Sequence, residues 1–177
     1  MSMVSLTLDQ VQFYENRDGS SPDPWTRFEI SVADVKAALV QQGTIPRQGD
    51  ILMIRSGYVR RHNRASEEER KNGTCHNSKA IGLKADEETV RWLYDCHFAA
   101  HVGDTVAFEA WPPSEGNEYI LHEWSLVWWG TPLGEMWDLE NLAAECRSRN
   151  RWTFFLTSAP LHVPGGVGSP PGAIAIF

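Results

Sequence analysis

Hydrophobic and polar positions follow two periods along the chain, one typical of strands and one of helices. Apolar residues alternate with polar ones over residues 4–14, and residues 51–54 form a short apolar run after a turn, so both segments are predicted as strands. Further strands are predicted at residues 97–104, 152–158 and 173–177, with a short extended piece at 135–139. Helices are predicted at residues 31–43, 86–96, 119–129 and 139–149, with a helical turn at 66–70. Strands that alternate with helices indicate an α/β fold, and we expect residues 1–177 to form a single domain.

The clearest helix boundary lies at Ser31. Its hydroxyl can cap a helix, and the acid Asp34 stands three residues later. Gly43 ends the pattern. The apolar stripe between these residues consists of Val32, Val35, Ala38 and Leu39.

Charge and composition exclude several classes of function. The chain has 23 Asp and Glu against 16 Lys and Arg, a balance that argues against a nucleic-acid-binding protein. No apolar run approaches the ~20 residues that cross a bilayer, and the first ten residues do not resemble a signal peptide. The three cysteines are far apart and form no disulfide or zinc-ribbon pattern. We therefore expect a cytoplasmic protein with no membrane partner.

Tryptophan is concentrated in one part of the chain. Seven of the eight Trp lie between Trp92 and Trp152. A Trp ring favours burial and its N–H needs a partner, so this density indicates a Trp-rich core, an aromatic-walled pocket or a subunit interface.

Three polar residues stand where chemistry can occur. His122 lies in the apolar segment 119–129, where a histidine is either paired in the core or functional, and Glu135 follows after the Gly/Pro break GTPLG. A sharp turn there can bring the two side chains together. Asp104 ends the predicted strand 97–104, where α/β folds place functional residues, although it can also cap a turn with Thr105.

Several segments in fixed order resemble the cyclase family. They are RQGDILMIRSGYVR, TVRWLYDCHFAAHVGDTVAFEAWPP and LHEWSLVWWGTPLGEMWD, and the similarity runs from about residue 25 to the end. This family of metal-dependent hydrolases includes kynurenine formamidase and isatin hydrolase, and the chain is most similar to versions from filamentous fungi. The resemblance implies a layered α/β fold with a mixed, partly barrel-like sheet flanked by helices, shortened here at the N-terminus. It also implies a dimer or tetramer.

The resemblance further implies hydrolysis of an amide or cyclic amide, arylformamidase-like, with Zn or Mn. In the family an early motif, HxGTHxDxPxH, supplies most metal ligands and a later His and Glu supply the rest. His122 and Glu135 match the later pair, but the sequence has no match to the early motif. A catalytic zinc takes about three protein ligands, so a metal at His122 and Glu135 must be completed from elsewhere, for example by His101 or His162 of a second copy.

We therefore expect a small-molecule hydrolase acting on a substrate that is aromatic. The expected catalytic residues are His122, Glu135 and Asp104, and the expected substrate-binding residues are Trp111, Trp128, Trp129 and Phe108. One alternative is a metal-free isomerase, dehydratase or cyclase of a biosynthetic pathway, with the same three residues as acid and base and no cofactor. Others are a non-catalytic binding or accessory subunit and an incomplete part of an ordinary hydrolase. A family domain shortened in this way leaves apolar surface uncovered, which predicts a homo-oligomer.

Overall fold

The computed structural model describes residues 4–170 and 172–177 of the chain. Its strands are β1 (Val4–Asp9), β2 (Glu29–Ile30), β3 (Ile51–Arg55), β4 (Gly82–Leu83), β5 (Ala100–Gly103), β6 (Leu133–Gly134), β7 (Thr153–Ala159) and β8 (Gly172–Ile176). Its α-helices are α1 (Gln10–Asp18), α2 (Val32–Gln41), α3 (Tyr58–Arg64), α4 (Glu67–Arg70), α5 (Glu87–Cys96) and α6 (Glu140–Arg149). Two π-helical turns, Lys71–Cys75 and Glu123–Trp128, lie between these elements.

Six strands form one mixed sheet in the order β6-β5-β3-β1-β7-β8. The first four strands run parallel to one another, while β7 pairs antiparallel with both β1 and β8. Strands β2 and β4 form a separate parallel pair. The large sheet curls into a half-barrel flanked by helices, which confirms the predicted mixed, partly barrel-like α/β fold.

The hydrophobic core lies on both faces of the sheet because neighbouring residues of a strand point in opposite directions. On β3, Leu52 and Ile54 belong to the larger cluster, which also includes residues of α1, α2 and α5. Met53, between them, belongs to a second cluster that contains Cys146 of α6 and Phe154 of β7. Parallel strands covered on both faces are the arrangement expected of an α/β fold.

The helix predicted at Ser31 is confirmed. Its hydroxyl accepts a hydrogen bond from the Asp34 backbone N–H at 3.1 Å, and the predicted apolar stripe is buried. Strand β3 and helices α5 and α6 also match their predicted positions within a few residues. No helix within the described part of the chain combines the length and hydropathy needed to cross a membrane.

The strand predicted over residues 4–14 is wrong beyond Asp9. The Asp9 side chain accepts a hydrogen bond from the Gln12 backbone N–H at 3.0 Å, so it caps α1 and ends the strand. Its carboxylate also binds Arg55, at 2.6 Å, and Arg147, both distant in sequence. A buried ion cluster of this kind leaves no trace in the local alternation of apolar residues.

Two other predicted segments differ in detail. Within the segment 119–129, only Leu121 and His122 are α-helical, and the π-helical turn Glu123–Trp128 follows them. The extended piece predicted at 135–139 is wrong, because the strand there is β6 and it ends at Gly134. Glu135 therefore lies just beyond the end of an edge strand of the large sheet.

Candidate functional site

His122 lies at the entrance to the π-helical turn and faces two carboxylates from different parts of the chain. Glu109 belongs to a segment bridged to β4 through Leu83, and its side chain is fully buried. The backbone of Gly82 packs so closely on that segment that a Cβ there would lie 2.2 Å from the Glu109 carbonyl carbon. A glycine at this position therefore lets the segment carry Glu109 to the His122 ring.

Both ring nitrogens of His122 are engaged. Nδ1 lies 2.7 Å from Glu109 Oε2, and Nε2 lies 2.9 Å from Glu135 Oε1. The His122 backbone N–H also donates to Glu109 Oε1, at 3.3 Å. The imidazole ring thus bridges a buried carboxylate and a half-buried one, and we call these three side chains the His122 triad.

The triad fixes the charge of the imidazole. Hydrogen bonds to Glu109 and then to Glu135 raise the pKa of His122 from 6.5 to about 10, although burial of the ring acts in the opposite direction. His122 is therefore an imidazolium at neutral pH, and both of its N–H groups donate to carboxylates. Such a ring can deliver a proton or stabilise a developing negative charge.

His122 and Glu135 open onto a cavity of about 570 Å³. The other side chains on its wall are mostly apolar, and Trp111 presents the largest ring, with 39% of its surface exposed. The remaining wall is formed by Val106, Ala107, Pro113, Ile120 and Glu123. An apolar cavity with a few convergent polar groups is typical of a small-molecule site.

The structure brings together three of the residues that the sequence suggested. His122 and Glu135 are in direct contact, and Trp111 lines the same cavity. Their proposed roles in binding or catalysis stay predictions.

Asp104 lies elsewhere, fully buried beneath the turn that precedes α3. It accepts hydrogen bonds from the Ser56 backbone N–H at 2.6 Å, the Ser56 hydroxyl at 2.6 Å and the Gly57 backbone N–H at 2.8 Å. Burial raises the pKa of Asp104, and these donors partly offset that rise. The Asp104 carboxylate therefore anchors the turn at Ser56 and Gly57, whereas the turn that the sequence offered as an alternative lay beside it, at Thr105. Its catalytic role stays a prediction.

The other predicted aromatic residues also lie away from the His122 cavity. Phe108 is buried in the core, where it stacks on His101 with 5.2 Å between ring centroids. Trp128 and Trp129 line a different cavity. The π-helical turn accounts for the two Trp residues, because its wider i→i+5 winding places them differently around the helix axis from an α-helix.

Sequence reasoning missed Glu109, the residue in closest contact with the His122 ring. Glu109 lies outside every strand and helix that the sequence predicts. The available signal was a lone acid directly after the apolar run Val106, Ala107 and Phe108. An acid in such a position is either paired or functional, since burial of an unpaired carboxylate is costly.

The described residues do not fit a metal ion on their own. Both nitrogens of His122 are occupied by carboxylates, and residues 4–170 and 172–177 contain no group of three or more His, Cys, Asp or Glu side chains that could hold one. His101 cannot be offered to a second copy, because it is 1% exposed. His162, in contrast, is exposed.

Comparison with known proteins places this chain in a family. The Cyclase family model matches residues 10–110, which is more than half of the chain and includes Glu109 but not His122. A search of curated proteins gives no match.

Solved structures with a similar fold include a crystal structure of a novel cyclase. The chain is 30% identical to it with a TM-score of 0.83, and the match covers 100% of this chain and 54% of that protein. Isatin hydrolase A from Ralstonia solanacearum is 16% identical with a TM-score of 0.62, covering 98% of this chain and 59% of the hydrolase. Isatin hydrolase A from Labrenzia aggregata, bound to benzyl benzoate, gives the same identity and TM-score with 98% and 61% coverage.

The chain therefore spans between 54% and 61% of the length of these proteins. At 16% identity the isatin hydrolases show the shared fold alone. The family match and the cyclase structure extend this to membership: the chain belongs to the cyclase family.

Proposed function

We propose that the chain acts as a small-molecule hydrolase of amide or cyclic amide bonds, with the His122 triad as its reactive group. The observation that carries this proposal is the imidazolium of His122, held between two carboxylates at the wall of a partly apolar cavity. Membership of the cyclase family and the fold shared with isatin hydrolases support the choice of reaction.

The chemistry follows from the two ends of the triad. Glu135 is about one-third exposed, so its carboxylate is the base that takes a proton from a water molecule attacking the amide carbon. The carbon–nitrogen bond then breaks, and the His122 imidazolium gives its proton to the departing nitrogen. Glu109 is fully buried and keeps the ring oriented throughout. The products are a carboxylic acid and an amine, or one ring-opened molecule that carries both groups.

The walls of the cavity favour a planar substrate. Trp111 offers a large exposed ring, and Val106 and Ile120 add apolar surface beside it. Aromatic side chains bind planar ligands by offset or edge-to-face contacts. We therefore propose an aromatic amide or a bicyclic cyclic amide as the substrate class.

Zn or Mn belongs to the family chemistry that the resemblance implies. His122 and Glu135 would supply two ligands, but the described residues supply no third and His122 has no free ring nitrogen. The proposed steps therefore run through the side chains alone. A second copy that contributes an exposed histidine such as His162 would be needed to complete a metal site from this chain.

The test is an assay of the purified chain on an aryl formamide and on isatin, without added metal and with Zn or Mn. We expect hydrolysis by the unaltered chain, and a loss of about 100-fold or more in kcat/KM for Glu135→Gln. The matched control is Glu123→Gln, because Glu123 lines the cavity but makes no bond to His122. The proposed function fails if the unaltered chain hydrolyses neither compound in any arm. The side-chain steps fail if hydrolysis needs added Zn or Mn, or if Glu135→Gln is as active as Glu123→Gln.

A metal-free isomerisation or dehydration is the second candidate. It is favoured by the hydrogen bonds of both His122 nitrogens to carboxylates. The imidazolium is then an acid and Glu135 a base, and neither ring nitrogen is available to a metal. Reaction in ¹⁸O-labelled water distinguishes hydrolysis from isomerisation. Hydrolysis places the label in the carboxylic acid product, whereas isomerisation places no label on the carbonyl carbon.

A further inference from the structure

The large sheet ends on one side in an open edge strand. Strand β8 pairs with β7 on its inner side, and no described residue pairs with its outer side. In an antiparallel pair every second residue turns its N–H and C=O away from the neighbouring strand, so β8 has a row of unused hydrogen-bonding groups. The opposite edge of the sheet is much shorter, because β6 has only two residues.

Strand β8 lacks the features by which edge strands usually avoid pairing with other chains. Those features are charged side chains, a proline, a bulge, or a helix or loop that covers the edge. The strand has the sequence GAIAI, and each of its residues has a single partner on β7, so it contains no bulge. All but one of its residues are exposed. A regular, apolar and exposed edge of this kind is a template for another strand.

One face of the β7–β8 hairpin is apolar and exposed. Ile174 is 64% exposed, Ile176 is 51% exposed, and Phe155, the cross-strand partner of Ile176, is 45% exposed. These three side chains lie on one face because successive residues of a strand point to opposite faces. Ala175, on the other face, packs against the core cluster that contains Phe154. The strip of Phe155, Ile174 and Ile176 is therefore available for contact with another molecule.

The charge of the chain favours a second copy as the partner of β8. The net charge is −7, so two copies repel one another wherever their charged surfaces meet. Residues 152–177 contain no Asp, Glu, Lys or Arg, and their single ionisable side chain is His162, in the loop between β7 and β8. A contact through this segment avoids the repulsion, whereas a charged partner would gain no ion pair from it.

An antiparallel pair of β8 strands also keeps the charges beside the strand apart. When the pair is centred on Ile174, that residue faces Ile174 of the second copy, and Ile176 faces the second copy's Gly172. The charged side chains near Ile176 are Arg47, Asp50 and Arg151, which line a cavity with it, and Arg149, which lies 5.3 Å from the Phe177 ring centroid. Their counterparts lie beside the other Ile176, four residues and about 13 Å along the strands at ~3.3 Å per residue. This separation exceeds the Debye length of about 8 Å at physiological salt.

We propose that β8 pairs antiparallel with β8 of a second copy across a twofold axis at Ile174. The two six-stranded sheets then form one continuous sheet, and the apolar strips of both hairpins lie side by side. A stable interface buries about 1,200–2,000 Å² in total, more than two short strands supply. The exposed Leu161, Val163 and Val167 of the adjoining loop supply further apolar surface. The family resemblance implies an oligomer without identifying its surface, and this contact is independent of the proposed hydrolysis.

The test is a pair of charge substitutions at the twofold axis. Ile174→Lys places two positive charges opposite each other in the paired strands, and Ile174→Glu places two negative charges there. Ile174 is largely exposed in the single chain, so neither substitution disturbs the core. Sedimentation velocity over a concentration series gives the mass of the wild-type chain, of each variant and of their equal mixture. Circular dichroism verifies the fold of every variant.

We expect the wild-type chain to dimerise and either substitution to raise the Kd of the dimer by at least about tenfold. The equal mixture of the two variants should dimerise again, because Lys then faces Glu. Val127→Lys is the matched control, since Val127 is 72% exposed and belongs to the π-helical turn rather than to the hairpin. This control should leave the Kd unchanged within about twofold.

Amide hydrogen exchange tests whether the contact is made by β8. In the wild-type dimer every amide of β8 should exchange slowly, whereas in Ile174→Lys every second amide should exchange fast. The proposal is overturned if the wild-type chain is a monomer throughout the series, if the mixture of variants stays monomeric, or if Val127→Lys dissociates the dimer and Ile174→Lys does not. It is equally overturned if every second amide of β8 exchanges fast in the wild-type dimer, because the copies then meet elsewhere.

Discussion

Replacement of Glu109 by Gln tests whether the buried carboxylate controls the charge of His122. The substitution keeps the size of the side chain and removes its negative charge. Glu109 makes the largest contribution to the raised pKa of His122, and Glu135 makes the next largest. We therefore expect the pKa of His122 to fall from about 10 by at least about one unit in Glu109→Gln, while Glu135 keeps it above 6.5.

The same shift links pH to stability. A histidine whose pKa is raised by folding stabilises the folded chain fully below pH 6.5, and this contribution is lost as the pH rises towards 10. One pKa unit corresponds to about 1.4 kcal/mol, so the unscreened shift would approach about 5 kcal/mol. The His122 side chain is 32% exposed, and solvent screening reduces the expected loss to about 2 kcal/mol.

Two measurements test this reasoning. Imidazole NMR gives the pKa of His122, and urea unfolding followed by Trp fluorescence gives the free energy of unfolding between pH 6 and 10. Glu123→Gln is the control, because it removes a nearby charge that makes no bond to the ring. A wild-type His122 that titrates near 6.5, or a pKa that is the same in Glu109→Gln and Glu123→Gln, would refute the reasoning.

Two further substitutions test the packing of the fold, and urea unfolding measures both. Asp9→Ala removes a partner of the buried Arg55, so the free energy of unfolding should fall by about 3–5 kcal/mol, whereas Glu87→Ala, in an exposed ion pair, should leave the midpoint unchanged. Equal midpoints for the two variants would contradict this. Gly82→Ala places a Cβ against the backbone of Glu109, so the free energy of unfolding should fall by about 1–3 kcal/mol. The displaced Glu109 should also lower the pKa of His122. An unchanged pKa would show that the close approach at Gly82 is unimportant for His122.

Elements with a strong local signal could be predicted from the sequence. Ser31 and its apolar stripe define α2 because capping and helical periodicity act within a few residues. The end of β1 could not be predicted in the same way. It depends on Asp9, whose carboxylate is held by Arg55 and Arg147, and such long-range ion pairs are invisible to local periodicity.

The candidate site could likewise be predicted only where its residues lie close together in sequence. The contact between His122 and Glu135 was predictable because a short Gly/Pro break separates them in sequence. Glu109 was not, because it reaches His122 through the bridge between its segment and β4. The positions of Trp128 and Trp129 could not be predicted from the sequence either. The π-helical turn that places them at a different cavity has no signature in the local pattern.

The two carboxylates of the triad differ in what they can do. Glu109 is fully buried, and a buried carboxylate is tolerated only with a charged or hydrogen-bonding partner, so His122 must stay beside it as long as the fold is intact. Glu135 is 34% exposed on the cavity wall, and water can take over its hydrogen bond to Nε2. Glu109 thus holds the imidazolium in place, whereas Glu135 can exchange its hydrogen-bond partner. Glu135, rather than Glu109, is therefore the carboxylate that a bound molecule can engage.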